Sequence, residues 1–302
     1  MADRIAFKVI TLKKNRGHGI ARKVSIKNCT NELVAIMDAD DISMYTRFEK
    51  QLNAFVEDSK LSAVGGQITE FIGTEENISG IRKVPLEHKN ICIFMKKRCP
   101  FNHMTVMFKK SDVEKSGGYK DWYCNEDYYL WLRMMQKNCR FKNLPDVLVN
   151  VRVGDEMSAR RGGMKYFLSE YRLQNYMLKK HIISVPRYVY NVLIRFGGEI
   201  LASDKLRARL FKFFRAKIGE EEKDILRQNT IENRKFPPFS VVMSVYEKDN
   251  AEWFDTAAAS ILNQTVKPNE IVLVVDGPVP DSILKVIKKY QTLCMTGRCQ
   301  EN

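Results

Sequence analysis

The chain has 302 residues, 44% of them hydrophobic, which supports a sizeable core and excludes wholesale disorder. That length allows one large domain or two modest ones. Net charge is +14, from 50 Lys and Arg against 36 Asp and Glu, so an anionic partner is expected.

The first 41 residues read as strand, helix, strand. Phe7 to Leu12 is a short β-rich run, Asn15-Arg-Gly-His-Gly19 a loop, and Ile20 to Asn28 a helix. Leu33 to Met37 is a continuous apolar run, as a parallel strand covered on both faces should be. It ends in Asp38-Ala39-Asp40-Asp41. A helix is predicted next, with Ser43 as its N-cap and Tyr45, Phe48, Leu52 and Phe55 on one face. Residues 63–72 and 104–108 read as strands, 126–137 as a helix and 147–151 as extended chain.

From Gly162 to Lys217 the pattern is helical, with breaks near Pro186 and Gly197-Gly198. The last helix there sets Leu206, Leu210, Phe211 and Phe214 against Arg209, Lys212 and Arg215, a basic amphipathic arrangement. Between Arg160 and Lys217 there are 14 basic and 3 acidic residues. Such a segment suits a phosphorylated substrate, an acidic lipid surface or nucleic acid, and equally a solvated helical face. Residues 218–236 are polar and of mixed charge and read as a linker.

Two parallel strands do not make a doubly covered sheet, and the missing strands stand at the other end of the chain. Phe239 to Tyr246 reads as a strand, about Ala251 to Asn263 as a helix, Glu270 to Asp276 as a second buried strand, and Ser282 to Tyr290 as a further helix. Joined tail to head, the two ends make one open α/β half-domain. The expected organisation is therefore 1–217, a linker over 218–236, a β-α-β-α unit over 237–291 that completes the same domain, and a loose tail over 292–302.

No apolar run reaches the roughly 20 residues that span a bilayer. The longest candidate, Ile182 to Ala202, is broken by Pro186, Arg187, Arg195 and Glu199. Met1 to Ile10 lacks the basic-then-apolar layout of a signal peptide. The seven cysteines are odd in number and form no CxxC pair, which argues against a disulfide framework or a zinc site. A cytoplasmic protein is expected, with peripheral attachment to the inner face of the membrane as an option.

The chemistry concentrates at strand ends. Asp38-x-Asp40 follows a buried strand, and ligands of open α/β sheets bind beyond the carboxyl ends of strands. Two carboxylates there hold a hard divalent cation and, through it, a diphosphate; the alternative is a helix-capping Asp cluster. Asp276 is a second strand-end carboxylate, suited to a base or ribose, or a turn Asp in Asp-Gly-Pro. Glu126-Asp127 opens a helix, where the dipole keeps a carboxylate ionised as a general base requires; simple dipole compensation is the alternative. Asn15 to Gly19 precedes a helix and suits a phosphate, or is a plain glycine turn. His103 is a candidate substrate contact or a structural histidine.

Together these pieces resemble family 2 glycosyltransferases with the GT-A fold, a Rossmann-like mixed sheet flanked by helices. The resemblance covers nearly the whole chain in circularly permuted order. Phe239 to Tyr246 resembles the family's first strand and nucleotide loop, Ser260-Ile-Leu-Asn-Gln-Thr265 its first-helix signature, and Ile271 to Gly277 the strand whose Asp contacts uracil. Asn15 to Asn28 is similar to the glycine loop and helix before the metal motif, and Leu33 to Asp41 to the DxD strand. Phe101 to Phe108, Gly117-Gly-Tyr119 and Asn125 to Arg133 resemble the acceptor half with its ED motif. Phe101 onward and Arg152 to Gly163 are most like bacterial capsule and exopolysaccharide galactosyltransferases.

The resemblance implies an inverting transferase that moves a hexose, galactose favoured, from a UDP-sugar to a saccharide acceptor, lipid-linked, in surface polysaccharide synthesis. It implies Asp40 as ligand of Mn²⁺ or Mg²⁺ and Asp38 as contact to ribose or metal. It implies Asp127 as catalytic base, with Glu126, His103 and Trp131 on the acceptor side. Ser244, Tyr246, Glu247, Asp276, Asn15, Gly17 and Asp38 would bind the nucleotide. Many relatives carry a further His ligand after the strand at 147–151; here the segment is Arg152-Val-Gly-Asp-Glu156, which leaves Asp155 or Glu156 as the third ligand.

The permuted order fits an engineered or natural rearrangement, or the junction of two tandem modules. A linker of the observed size has an r.m.s. span of roughly 25 Å, enough to cross a domain face. The expected partners are a UDP-sugar, a saccharide acceptor and an anionic membrane surface, with no nucleic acid, since no binding motif accompanies the charge. Oligomeric state is open. A nucleotidyltransferase is the competing enzyme class, but Ser244 to Asn250 lacks the glycines that cradle a triphosphate. An inactive scaffold or a nucleic-acid-binding protein are the non-enzymatic alternatives.

Overall fold

The computed structural model describes residues 4–154, 163–201 and 235–296. The predicted helix over 206–215, most of the 218–236 linker, and Asp155 and Glu156 lie outside these residues. The elements are β1 (Ala6–Leu12), α1 (His18–Lys27), β2 (Leu33–Ile36), β3 (Ile42–Ser43), α2 (Arg47–Glu57), β4 (Leu61–Phe71), β5 (Ile78–Arg82), α3 (His88–Met95), β6 (Met107–Lys109), α4 (Lys110–Lys115), α5 (Glu126–Gln136), β7 (Arg140–Arg152), α6 (Met164–Lys179), α7 (Val185–Phe196), β8 (Phe239–Val245), α8 (Ala251–Leu262), β9 (Glu270–Asp276) and α9 (Asp281–Thr296).

Among the described residues one mixed sheet runs β1-β9-β8-β2-β6-β4-β7-β3, with β5 paired to β4. The first four are parallel: Leu12 stands beside Asp276, Val275 beside Val245, and Val242 beside Ile36. β6 then runs antiparallel to β2 and β4. The two strands from the end of the chain thus lie between β1 and β2 from its beginning. This is the mixed α/β architecture expected of the GT-A fold.

Alternation along the strands builds a core on each face. Val241, Met243 and Val245 join Phe48, Leu52, Phe254, Ile261, Ile283 and Ile287 on one side, so α2, α8 and α9 cover that face. Val34, Ile36, Val242 and Val272 join Ile26, Ile91, Trp131, Leu173 and Met177 on the other, under α1, α3, α5 and α6.

Polar groups stitch the two chain ends together. Gln264 Nε2 donates to Met44 O at 2.9 Å and Ser260 Oγ accepts from Ser43 N–H at 3.0 Å. Glu270 accepts from Thr30 N–H at 2.9 Å and from Ser240 Oγ at 2.6 Å. The signature residues Ser260 and Gln264 therefore anchor the chain that leaves the acidic motif.

Several elements depart from expectation. Ser43 caps no helix: Ile42 and Ser43 pair with Asn150 and Val149 of β7, and α2 starts only at Arg47. The Asp41 carboxylate fixes this detour by accepting Arg152 N–H at 3.0 Å. Residues 103–105 form a 3-10 turn, so the strand predicted at 104–108 shrinks to β6. β7 is 13 residues long, and its first half pairs with β4 through register shifts. The break expected near Pro186 is present: α6 ends at Lys179 and α7 starts at Val185, with Pro186 in its first turn, where its missing N–H is tolerated. α9 runs to Thr296 with Cys294 buried, so 292–296 is helix and not loose tail.

Candidate active site

The parallel strands β1, β9, β8 and β2 end on one edge, and the chemistry-bearing residues emerge there. Asp276 closes β9 and is buried. Its Oδ1 accepts Arg16 N–H at 2.7 Å and its Oδ2 accepts Gly17 N–H at 2.9 Å. The carboxylate therefore holds the Asn15–Gly17 loop open at the N-terminus of α1. Each oxygen keeps a lone pair for a further donor. Asn15 is exposed, and its Oδ1 also accepts Gly17 N–H, at 3.0 Å. Gly277 follows at φ +93°, packed so closely that a Cβ would lie 2.6 Å from Asn15 N.

The β8 loop stands beside this one. Tyr246 N–H donates to Asp249 Oδ2 at 2.9 Å, and its ring meets His18 edge-on at 6.2 Å. Glu247 is exposed in the same loop. Ser244 sits deeper, in a narrow crevice of about 10 Å³ that it lines with Arg22, Ser25, Met37 and Asp38. That crevice lies against the C-terminal halves of β8 and β2, under α1.

The acidic motif follows β2. Asp38 and Asp40 are partly exposed, whereas Asp41 is buried. Burial pushes the Asp41 carboxyl well above the usual range, and the neighbouring Asp40 and Asp38 push it further. Arg47 lies beneath, fully buried, with Nη2 on Ile36 O at 2.7 Å and Nε on Gln51 Oε1 at 3.1 Å. Burial lowers this guanidinium to about 9, with Asp38 and Asp41 pulling the other way.

Crowded hard oxygen donors, two of them reaching solvent, fit Mg²⁺ or Mn²⁺, which commonly use one or two carboxylates together with substrate phosphates. Among the described residues no group of three His, Cys, Asp or Glu forms a metal site. Asp38 and Asp40 are the two carboxylates of the motif that reach solvent.

The opposite wall is α5. Glu126 is buried at its first turn and pairs with Arg22, whose other arm reaches Asp38 Oδ1 at 3.2 Å. Burial alone would lower the Arg22 pKa, but Asp38 and Glu126 outweigh it and hold the cation above its ordinary value. Asp127 is partly buried; Oδ1 accepts Tyr128 N–H at 2.7 Å and Oδ2 lies 3.7 Å from Cys99 Sγ. Burial, then Glu126, pushes its carboxyl up to about 6, while Arg22 opposes them. A carboxylate in that range is a competent base near neutral pH.

Two expected acceptor contacts are interior. Trp131 is fully buried, 5.0 Å from Phe101 and 5.9 Å from His103 between ring centroids. His103 is buried, with Nε2 3.5 Å from Tyr119 Oη and Nδ1 unpartnered. Burial, then Arg22 and His18, holds it well below its ordinary pKa, so it is neutral. The structure thus gathers Asp38, Ser244, Arg22, Glu126 and Asp127 across one cleft, sets Asn15, Gly17, Asp276 and Tyr246 beside it, and keeps His103 and Trp131 in its wall. Sequence reading passed over Arg22, Arg47 and Cys99. Arg22, one turn into the helix after the glycine loop, is a lone cation whose two anionic partners only the fold brings near.

The Glycosyl transferase family 2 model matches residues 1–114. An uncharacterized glycosyltransferase of Haemophilus influenzae is 39% identical over 212 residues, 70% of this chain and 78% of the relative. The UDP-Gal:alpha-D-GlcNAc-diphosphoundecaprenol beta-1,3-galactosyltransferase of Escherichia coli is 34% identical over 205 residues, 68% of this chain and 74% of the relative. The amylovoran biosynthesis glycosyltransferase AmsE of Erwinia amylovora is 38% identical over 178 residues, 59% of this chain and 65% of the relative.

Proposed function

The chain belongs to glycosyl transferase family 2 and is a glycosyltransferase, and from that premise we propose that it moves galactose from UDP-galactose to a lipid-linked saccharide in surface polysaccharide synthesis. The donor and the lipid-linked acceptor follow the printed name of the 34% identical relative. The polysaccharide setting follows that of the amylovoran enzyme and of an O-antigen biosynthesis glycosyltransferase from Escherichia coli, 31% identical over 173 residues.

In this reading Asn15, Gly17, Asp276 and the Ser244–Glu247 loop hold the uridine. Asp38 and Asp40 hold Mn²⁺ or Mg²⁺, which when bound offsets the charge that develops on the leaving diphosphate. Asp127 takes the proton of the acceptor hydroxyl. The oxygen forms its bond to the anomeric carbon as the bond to UDP breaks, with inversion. Glu126 and Arg22 keep that base at working distance from the donor motif. The strand order is read as a circularly permuted GT-A sheet, a reading supported by β8 and β9 lying between β1 and β2.

The observation that carries the proposal is the Arg22 bridge from Asp38 to Glu126, which ties a donor-side carboxylate to an acceptor-side one. The test is UDP release from a panel of sugar nucleotides, with a lipid-diphosphate-linked N-acetylhexosamine as acceptor. Metal-dependent turnover favouring UDP-galactose is expected. Turnover favouring another nucleotide sugar overturns the donor assignment, and turnover only with free sugars overturns the acceptor assignment.

A further inference from the structure

The helix α7 has two faces of opposite character. Asn191 is buried, its Nδ2 on Lys96 O at 3.0 Å and Gln174 Oε1 at 2.9 Å. Arg195 on the same side pairs with Glu170 of α6 at 2.6 Å. At 100° per residue the opposite side carries Val185, Val189 and Leu193, with Tyr190 and Ile194 along one flank. All five are exposed, Leu193 at 64% and Val185 at 62%. Soluble surfaces rarely carry so dense an apolar stripe unless something covers it.

Charge identifies the cover. α7 contains no acidic residue, and Arg187 lies over the Tyr190 ring at 5.4 Å, at the edge of the stripe. α6 adds exposed Arg172 and Lys179, and Lys180 follows it, also exposed. A second copy of this face would bring like charges together. The sequence that follows, residues 202–217, adds Lys205, Arg207, Arg209, Lys212, Arg215 and Lys217 against Asp204, so the cationic character continues along the chain. An anionic lipid surface satisfies both halves of the pattern: its acyl boundary takes the apolar side chains and its headgroups take the cations.

We propose that the outward face of α7, with the basic residues of α6 beside it, docks on an anionic bilayer surface. The same helices brace the acceptor side of the cleft. Ser169 of α6 bonds Tyr123 O and accepts from Asn125 Nδ2 at 3.2 Å, and Asn125 directly precedes Glu126 and Asp127. Docking therefore brings the acceptor wall close to the bilayer that holds a lipid-linked saccharide, a link that rests on the function proposed above.

The test is flotation of the full chain with vesicles of phosphatidylglycerol and phosphatidylcholine, against phosphatidylcholine alone. Wild type is expected to float with the anionic vesicles only, and the double variant Val189→Asp, Leu193→Asp to lose about tenfold of that partition, with an unchanged melting temperature. UDP binding is read on the same samples and is expected to survive in the variant. No flotation of wild type, or equal flotation of the variant, overturns the docking surface. So does a wild-type dimer that the variant converts to monomer, since a second copy is then the cover. Flotation without UDP binding leaves the surface standing and overturns the proposed UDP-sugar donor.

Discussion

Asp276 and Gly17 are 259 positions apart, and the carboxylate of one accepts the N–H of the other at 2.9 Å. The end of the chain thereby shapes a loop at its beginning. The Arg16 and Gly17 amides at the N-terminus of α1 are both engaged by Asp276, so the contact sets the shape of the loop proposed to hold the nucleotide. A swapped arrangement between two chains would make the same contact intermolecularly; a monomeric mass by size-exclusion light scattering is the single-chain expectation.

Gly277 enforces that contact. At φ +93° and with a Cβ position 2.6 Å from Asn15 N, Gly277→Ala must push the loop away. It is expected to cost about 1–3 kcal/mol in urea unfolding and to weaken UDP binding in parallel. Unchanged affinity would separate the loop from the nucleotide site.

As the proposed base, Asp127 would set the pH dependence. With its carboxyl pushed up to about 6, the rate constant is expected to rise with pH through that value and level off above it. Asp127→Asn should lower kcat by roughly 10²–10⁴-fold. Stability moves the other way. The group's folded pKa lies above its ordinary 3.8, so its stabilising contribution is complete below that value and lost as pH rises through about 6. The Asn variant therefore melts higher than wild type at neutral pH, and the difference shrinks as pH falls through this window.

Arg22 is a positioning residue for both halves of the cleft. Arg22→Gln leaves Glu126 buried without its cation and should cost about 3 kcal/mol, the range for breaking a buried pair. Because Arg22 also holds the Asp127 carboxyl down, the rate profile should shift to higher pH. A purely structural arginine would lower stability without moving the profile. Arg22→Lys should restore part of that shift.

Trp131 belongs to the core. Trp131→Ala should cost about 3–5 kcal/mol, as for other buried aromatics, whereas Trp131→Phe should leave the acceptor KM unchanged. A large KM change in the Phe variant would return Trp131 to the acceptor site.

The sheet was legible where burial on both faces writes a continuous apolar run, as in Val34 to Ile36, Val241 to Met243 and Ile271 to Val275. It was illegible where strands carry polar residues, as in β7, whose Lys142, Asn143, Pro145 and Asp146 break the pattern while β4 and a register shift still hold it. Ser43 misled because Asp41 and β7 capture the segment before a helix can start. In the site, the carboxylates were legible because they stand at strand and helix ends. Arg22 and Arg47 were not, since a buried cation is recognised by its partners, and Glu126 is 104 positions from Arg22. The burial of His103 and Trp131 was not legible, because side chains facing a cleft and those of its inner wall share one sequence neighbourhood.

Both ends of a single chain are proposed to build one metal-dependent nucleotide site. Calorimetric titration with UDP, with and without Mn²⁺, on wild type and Asp40→Ala, tests it most directly. Binding is expected to strengthen with Mn²⁺ in wild type and to lose that metal response in Asp40→Ala. No UDP binding by folded wild type, or the same Mn²⁺ response in Asp40→Ala, would contradict it.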